Sequence, residues 1–134
     1  PNMTPINSPT ELLQRACNAR ENAYAPYSRF KVGAALQTES GAVYVGCNVE
    51  SSVFGLTQCA ERAAVTALIA GGHVSFTAIA VVTNTGDFPC GPCRQFLAEF
   101  NLDAQVFVAQ DADLKSYQST TIRHLLPEPF RLNS

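Results

Sequence analysis

Two short segments carry residue types that can do chemistry. One is Cys59-Ala60-Glu61-Arg62 and the other is Pro89-Cys90-Gly91-Pro92-Cys93-Arg94-Gln95. Each stands where the pattern predicts a helix start, so unpaired N–H groups and the helix dipole favour thiolate there. Cys90 and Cys93 are three apart and share one face of a helical turn. A third sulfur from Cys59 makes a three-cysteine set. Such a set leaves a tetrahedral zinc one open position, the arrangement of a catalytic rather than a structural site. Glu61 lies two residues past Cys59 and so projects in another direction. It is expected to stand unligated beside the ion, where a carboxylate can shuttle protons. A first-turn glutamate also complements the helix dipole, but the cysteines beside it weigh toward the shuttle. Three thiolates and Zn²⁺ sum to one net negative charge, which weakens the ion as a Lewis acid. A cation donating to the sulfurs offsets this, and Arg62 and Arg94 are placed to do so.

The elements that must position these residues read as follows. Ser8-Pro9-Thr10-Glu11 is a helix start with a capping box, and the apolar spacing carries that helix to about residue 24. Pro26 breaks it. Strands are expected at 30–38 and 42–49, joined by Ser40-Gly41 as a hairpin turn. Gly33 and Gly46 mark bulges or close contacts within them. A helix is expected over 59–70, ended by Gly71-Gly72. A covered central strand follows at 76–83, then a helix at 90–100, a strand at 105–110 and a short helix at 121–125. Helices and strands alternate in the second half, so the class is α/β, with helices packed on a mixed sheet.

Composition narrows the function. The 134 residues carry a net charge of -2, with 46% hydrophobic and 15% charged residues. That length fits one domain spanning 1–134, with 1–7 as a flexible N-terminal arm. The nine Lys and Arg are scattered and give no basic stripe for nucleic acid. No apolar run reaches the roughly 18–20 residues of a membrane helix. The opening PNMTPINSPTELL lacks the regions of a secretion signal. Five cysteines are an odd number, unlike a disulfide scaffold, and a reducing cytoplasm is the expected compartment. Cys17 and Cys47 are expected to play no part in the chemistry.

These motifs resemble the cytidine deaminases, specifically the small homotetrameric enzymes acting on free nucleosides. The ligand-x-Glu element followed by P-C-x-x-C is the zinc nucleobase-deaminase signature, with three cysteines as one of its ligand sets. The likeness extends to Ala25-Pro26-Tyr27-Ser28-Arg29-Phe30-Lys31-Val32-Gly33, to Cys47-Asn48-Val49-Glu50 and to Leu125-Leu126-Pro127-Glu128-Pro129-Phe130. The resemblance implies a three-layer α/β/α fold on a mixed five-stranded sheet. It implies one Zn²⁺ per chain on Cys59, Cys90 and Cys93, with Glu61 moving protons during attack at C4 of cytosine. Asn48 and Glu50 would bond the ribose 3′-hydroxyl, while Phe30 and Ala60 would line the base site. Arg62 and Gln95 would support the ligands from behind. Phe130 would reach a neighbouring subunit's site in a homotetramer. Two departures stand out. Ser51-Ser52 replaces the family's usual Asn-Ala, and Phe54 replaces a common Tyr, so sugar recognition on the 5′ side is expected to weaken.

Rival readings follow from the same residues. Cys90-Gly91-Pro92-Cys93 is also a thioredoxin-type redox motif, but no Trp precedes it and no Thr-Pro pair follows. A purely structural zinc site would need His73 or His124 as fourth ligand. A deaminase for another cytosine nucleoside, such as a nucleoside antibiotic, is the nearest alternative. A polynucleotide deaminase would need a basic groove.

Overall fold

The computed structural model describes residues 7–132. Ser8 caps the first helix: its Oγ accepts from Glu11 N–H at 3.2 Å, and its own N–H donates to the Glu11 carboxylate at 2.7 Å. Helix α1 (Pro9–Arg20) ends short of residue 24. The reason lies at Tyr24, whose N–H donates to Asn48 O while its carbonyl accepts from Glu50 N–H, both at 2.9 Å. Backbone committed to an extended partner cannot continue a helix. The expected arm lies almost wholly outside the described residues. Asn7, its inner end, bonds the Gln37 side chain through both backbone and amide nitrogens.

Strands β1 (Gly33–Gln37) and β2 (Val43–Cys47) form the expected antiparallel hairpin. Gly41 takes the positive φ of 92° that its turn requires. Strand β1 begins three residues later than its pattern. Phe30 O and Val32 N–H pair with the Asn48 amide instead of a neighbouring strand. Helix α2 (Ala60–Ala70), strand β3 (Ala78–Thr83), helix α3 (Gly91–Ala98) and strand β4 (Gln105–Gln110) follow in order. Strand β5 (Asp113–Thr121) and helix α4 (Ile122–Leu125) complete the series. Apolar periodicity gives no hint of β5. It is an edge strand, exposed along most of its length, so its polar sequence is what its surroundings demand.

The sheet order is β2-β1-β3-β4-β5. Only β3 and β4 are parallel; the remaining pairs are antiparallel. Alternation sorts the side chains into two cores. Ala35, Ala80, Val82 and Phe107 face α1, where they meet Leu12, Leu13 and Ala16. Ala34, Leu36, Val81 and Val106 face the other helices, where they meet Ala64, Leu68, Leu97 and Ile122. Each fully buried Leu or Val contributes about 1.5–3 kcal/mol. The result is three layers, α/β/α. Among the described residues no helix is long and apolar enough to cross a membrane.

Gly46 sets the distance between β2 and α2. A Cβ there would lie 2.5 Å from Ala64 N and 2.6 Å from Ala60 O, both backbone atoms of the helix. Neither Gly46 nor Gly33 marks a bulge, because the β1–β2 register is continuous. Gly46→Ala is therefore expected to destabilise the protein by about 1–3 kcal/mol. Urea unfolding checks this, and an unchanged midpoint would show that the helix yields freely.

Candidate metal centre and substrate cavity

Cys59 and Cys90 are the N-cap residues of α2 and α3, both with extended backbone. Neither side chain turns back to cap its own helix, which leaves both sulfurs free to point outward. Cys93 sits in the first turn of α3 and is fully buried. The two helix starts converge, and the three Sγ atoms lie within 4.8 Å of one another. Small side-chain rotations from that spacing reach one tetrahedral zinc with Zn–S bonds of about 2.3 Å. Among the described residues, this is the one group of at least three His, Cys, Asp or Glu able to share a metal. His73 packs on the Tyr44 ring and His124 sits on α4, so neither supplies a fourth ligand. The donor set is three soft thiols with one coordination position to spare.

Electrostatics favours that use. Arg62 Nη2 donates to Cys59 Sγ at 3.2 Å. The Cys59 thiol is brought down to about 5, first by the hydrogen bond from Cys93 and then, against the cost of burial, by Arg62. Cys93 is pushed up, because it lends its proton to Cys59, is buried and faces the charges of Glu61 and Cys59. One sulfur thus holds a proton on behalf of another, an arrangement that a divalent cation resolves by replacing the proton. Arg62 Nε is buried without a hydrogen-bond partner. The residues present fit zinc. Arg94 does not join them. Its Nε donates to Pro89 O at 2.7 Å and its Nη1 to Leu125 O at 3.3 Å, tying the Cys90 loop to α4.

Glu61 is 6% exposed. Cys93 Sγ lies 3.8 Å from its Oε1. Burial raises its pKa first, followed by the negative charge on Cys59; its own backbone N–H, Cys93 and Arg62 oppose the rise. The carboxyl borders a cavity of about 300 Å³ that also meets Cys59, Ala60 and Cys90. Phe30, Asn48 and Glu50 line the same cavity, so the structure brings these predicted residues together. Val32, Thr83 and Phe88 line it as well, although nothing in their spacing distinguishes them from core residues. Ser28 is a further lining residue without a predicted role; its position in the Ala25-Pro26-Tyr27-Ser28 run was the available signal.

Two predicted residues lie elsewhere. The Gln95 amide is fully engaged with the tail: Nε2 donates to Phe130 O at 2.9 Å, and Oε1 accepts from Phe130 N–H at 3.0 Å. It therefore anchors the C-terminal segment and does not support the sulfurs. Phe130 itself is 70% exposed and lines no part of the cavity in its own chain.

A family model for the cytidine and deoxycytidylate deaminase zinc-binding region matches residues 6–109. The chain belongs to this deaminase family. A cytidine deaminase of Sporosarcina psychrophila is 45% identical over 124 residues, covering 90% of this chain and 89% of that protein. The crystal structure of cytidine deaminase from Burkholderia pseudomallei is 43% identical, with a TM-score of 0.87, covering 92% of this chain and all of that one. The Mycobacterium tuberculosis cytidine deaminase structure is 40% identical, with a TM-score of 0.78 over 90% of this chain and 95% of that one. In this deaminase the Cys90-Gly91-Pro92-Cys93 run is part of a three-sulfur group rather than an isolated redox dithiol.

Arg62 offsets the excess negative charge of the cradle and orients one ligand. Arg62→Ala is expected to weaken zinc retention about 10–100-fold, as losses of partners behind a ligand do. Competition with a chromogenic chelator measures it, and unaltered retention would remove Arg62 from the metal's support.

Proposed function

We propose that the protein hydrolytically deaminates cytidine and deoxycytidine to uridine and deoxyuridine, releasing ammonia, as an enzyme of pyrimidine salvage. The observation that carries the reading is a buried carboxyl, Glu61, beside a three-sulfur cradle and a cavity of nucleobase dimensions. Zinc bound by Cys59, Cys90 and Cys93 supplies a Lewis acid with one open position. Glu61 takes a proton from the attacking water and delivers it to N3 of the base; it then takes the proton of the new C4 hydroxyl and passes it to the departing ammonia, leaving the C4 carbonyl. Burial supports this role, because it narrows the gap between a carboxyl and groups that exchange protons near neutrality. Phe30 packs against the base beside Ala60, and Asn48 and Glu50 take the sugar.

A neutral nucleoside suits the cavity better than a nucleotide. Glu50, Glu61 and Asp87 line it, and no Lys or Arg does among the described residues. A phosphate would meet repulsion without a compensating cation. A reducing cytoplasm is the compartment in which three clustered thiols stay available to a metal.

Incubation with cytidine and with deoxycytidine is expected to release ammonia stoichiometrically with the deaminated nucleoside. Glu61→Gln keeps its zinc and loses on the order of 10²–10⁴ in turnover. Zinc-loaded protein inert toward both nucleosides would defeat the reading.

The assembly proposed is a homotetramer with shared sites. Tyr27 (55% exposed) and Phe54 (80%) line a depression that shares Ser28, Glu50 and Thr57 with the cavity, Val53 (60%) and Leu56 (71%) flank Phe54, and exposed Phe130 is held by Gln95 of α3. Exposed apolar side chains in such a cluster are what an interface covers. Sedimentation equilibrium is expected to give four chains per particle. Phe130→Ala is expected to raise KM without changing the mass; a monomer of full activity would contradict the shared site.

A further inference from the structure

Glu50 carries more hydrogen bonds than sugar binding requires. Its Oε1 accepts from Tyr27 N–H at 3.0 Å and from Ser28 N–H at 3.1 Å. Its Oε2 accepts from Ser28 Oγ. The Ser28 hydroxyl in turn accepts from Phe30 N–H at 3.0 Å. A carboxylate has no proton to give, so the hydroxyl hydrogen points to Glu50 and its lone pair to Phe30. Between them the chain reverses at Arg29, which takes a positive φ of 58° and whose N–H donates to Ala25 O at 2.9 Å. Such a conformation is costly for a residue with a Cβ and persists only when its surroundings impose it.

A carboxylate offers about four acceptor positions. Three are filled within the protein, two on Oε1 and one on Oε2, so a single position remains, on Oε2. We infer that Ser28 is a positioning residue for substrate recognition: its hydroxyl fixes the Glu50 carboxylate so that the one remaining acceptor position on Oε2 serves a sugar hydroxyl. The Glu50 pKa is lowered chiefly by the Ser28 hydroxyl, then by the Ser28 N–H, consistent with a carboxylate kept ionised as an acceptor. Without Ser28 Oγ, Oε2 has two open positions that water can fill, and only the two backbone bonds on Oε1 hold the carboxylate. Ser28 has no need to touch the substrate, since its own hydrogen is already given to Glu50.

This inference rests on the proposed nucleoside deaminase activity and on Glu50 meeting the 3′-hydroxyl. The test compares kcat/KM for 2′-deoxycytidine with that for 2′,3′-dideoxycytidine, whose sugar lacks the hydroxyl that Glu50 accepts. Ser28→Ala is expected to lower this ratio about tenfold, the worth of one hydrogen bond to a charged group. The loss falls on KM for 2′-deoxycytidine, with kcat and zinc content close to wild type. Ser28→Thr, which retains the hydroxyl, keeps the ratio. Ser28→Cys, a weaker donor of similar shape, gives an intermediate ratio and serves if the alanine variant does not fold. An equal loss on both substrates, or an unchanged ratio, overturns the inference while leaving the deaminase reading intact. A wild type inactive on both nucleosides overturns the two together.

Discussion

Three sulfurs must share one small volume, and negative charge is costly there unless something positive faces it. The fold meets this by aiming two helix starts at the same point. Cys59 and Cys90 are both N-cap residues, so each stands before a set of backbone N–H groups that lack helical partners. The arrangement requires α2 and α3 to lie on the same face of the sheet with their N-termini adjacent. Helix α2 lies over β2 and β1, and β3, between the two helices in sequence, carries the chain from the end of α2 to the start of α3. The parallel β3–β4 pair provides for α3 as its crossover helix. Arg62 then adds a cation from the second layer of contacts, reaching a sulfur across one turn of α2.

Much of this centre was legible in the sequence because helix starts are local features. Gly91 and Pro92 beside the cysteines, and an Ala-rich run after Cys59, announce N-termini without tertiary information. Glu61 was legible for the same reason, as its direction relative to Cys59 follows from helical geometry alone. The position of Gln95 close to Cys93 in sequence says nothing about its partner. That partner, the Phe130 backbone, is 35 residues away and engages both ends of the amide. The late start of β1 was hidden similarly. A side chain, Asn48, stands in for a strand and satisfies Phe30 O and Val32 N–H. Strand β5 left no periodic signal because an edge exposed on both faces has no buried side to alternate with.

The two ends of the cavity are built differently. At the metal end, Ala60, Cys93 and Glu61 are buried against a core of close-packed side chains. A change there disturbs packing as well as chemistry. At the other end, residues 25–32 and 48–57 are held by hydrogen bonds from Asn48, Glu50, Ser28 and Thr57 in largely exposed segments. The Ser51 N–H, for instance, is satisfied by the Thr57 hydroxyl at 3.1 Å, a contact that does not depend on the Ser51 side chain. The Ser51 hydroxyl, however, accepts from Val53 N–H at 3.1 Å, so it is exposed Ser52 and Phe54 whose substitution alters the surface without removing a backbone partner. Burial separates the two ends: the metal end is constrained by the core and the other end by hydrogen bonds within exposed segments, so a substitution there costs the fold less.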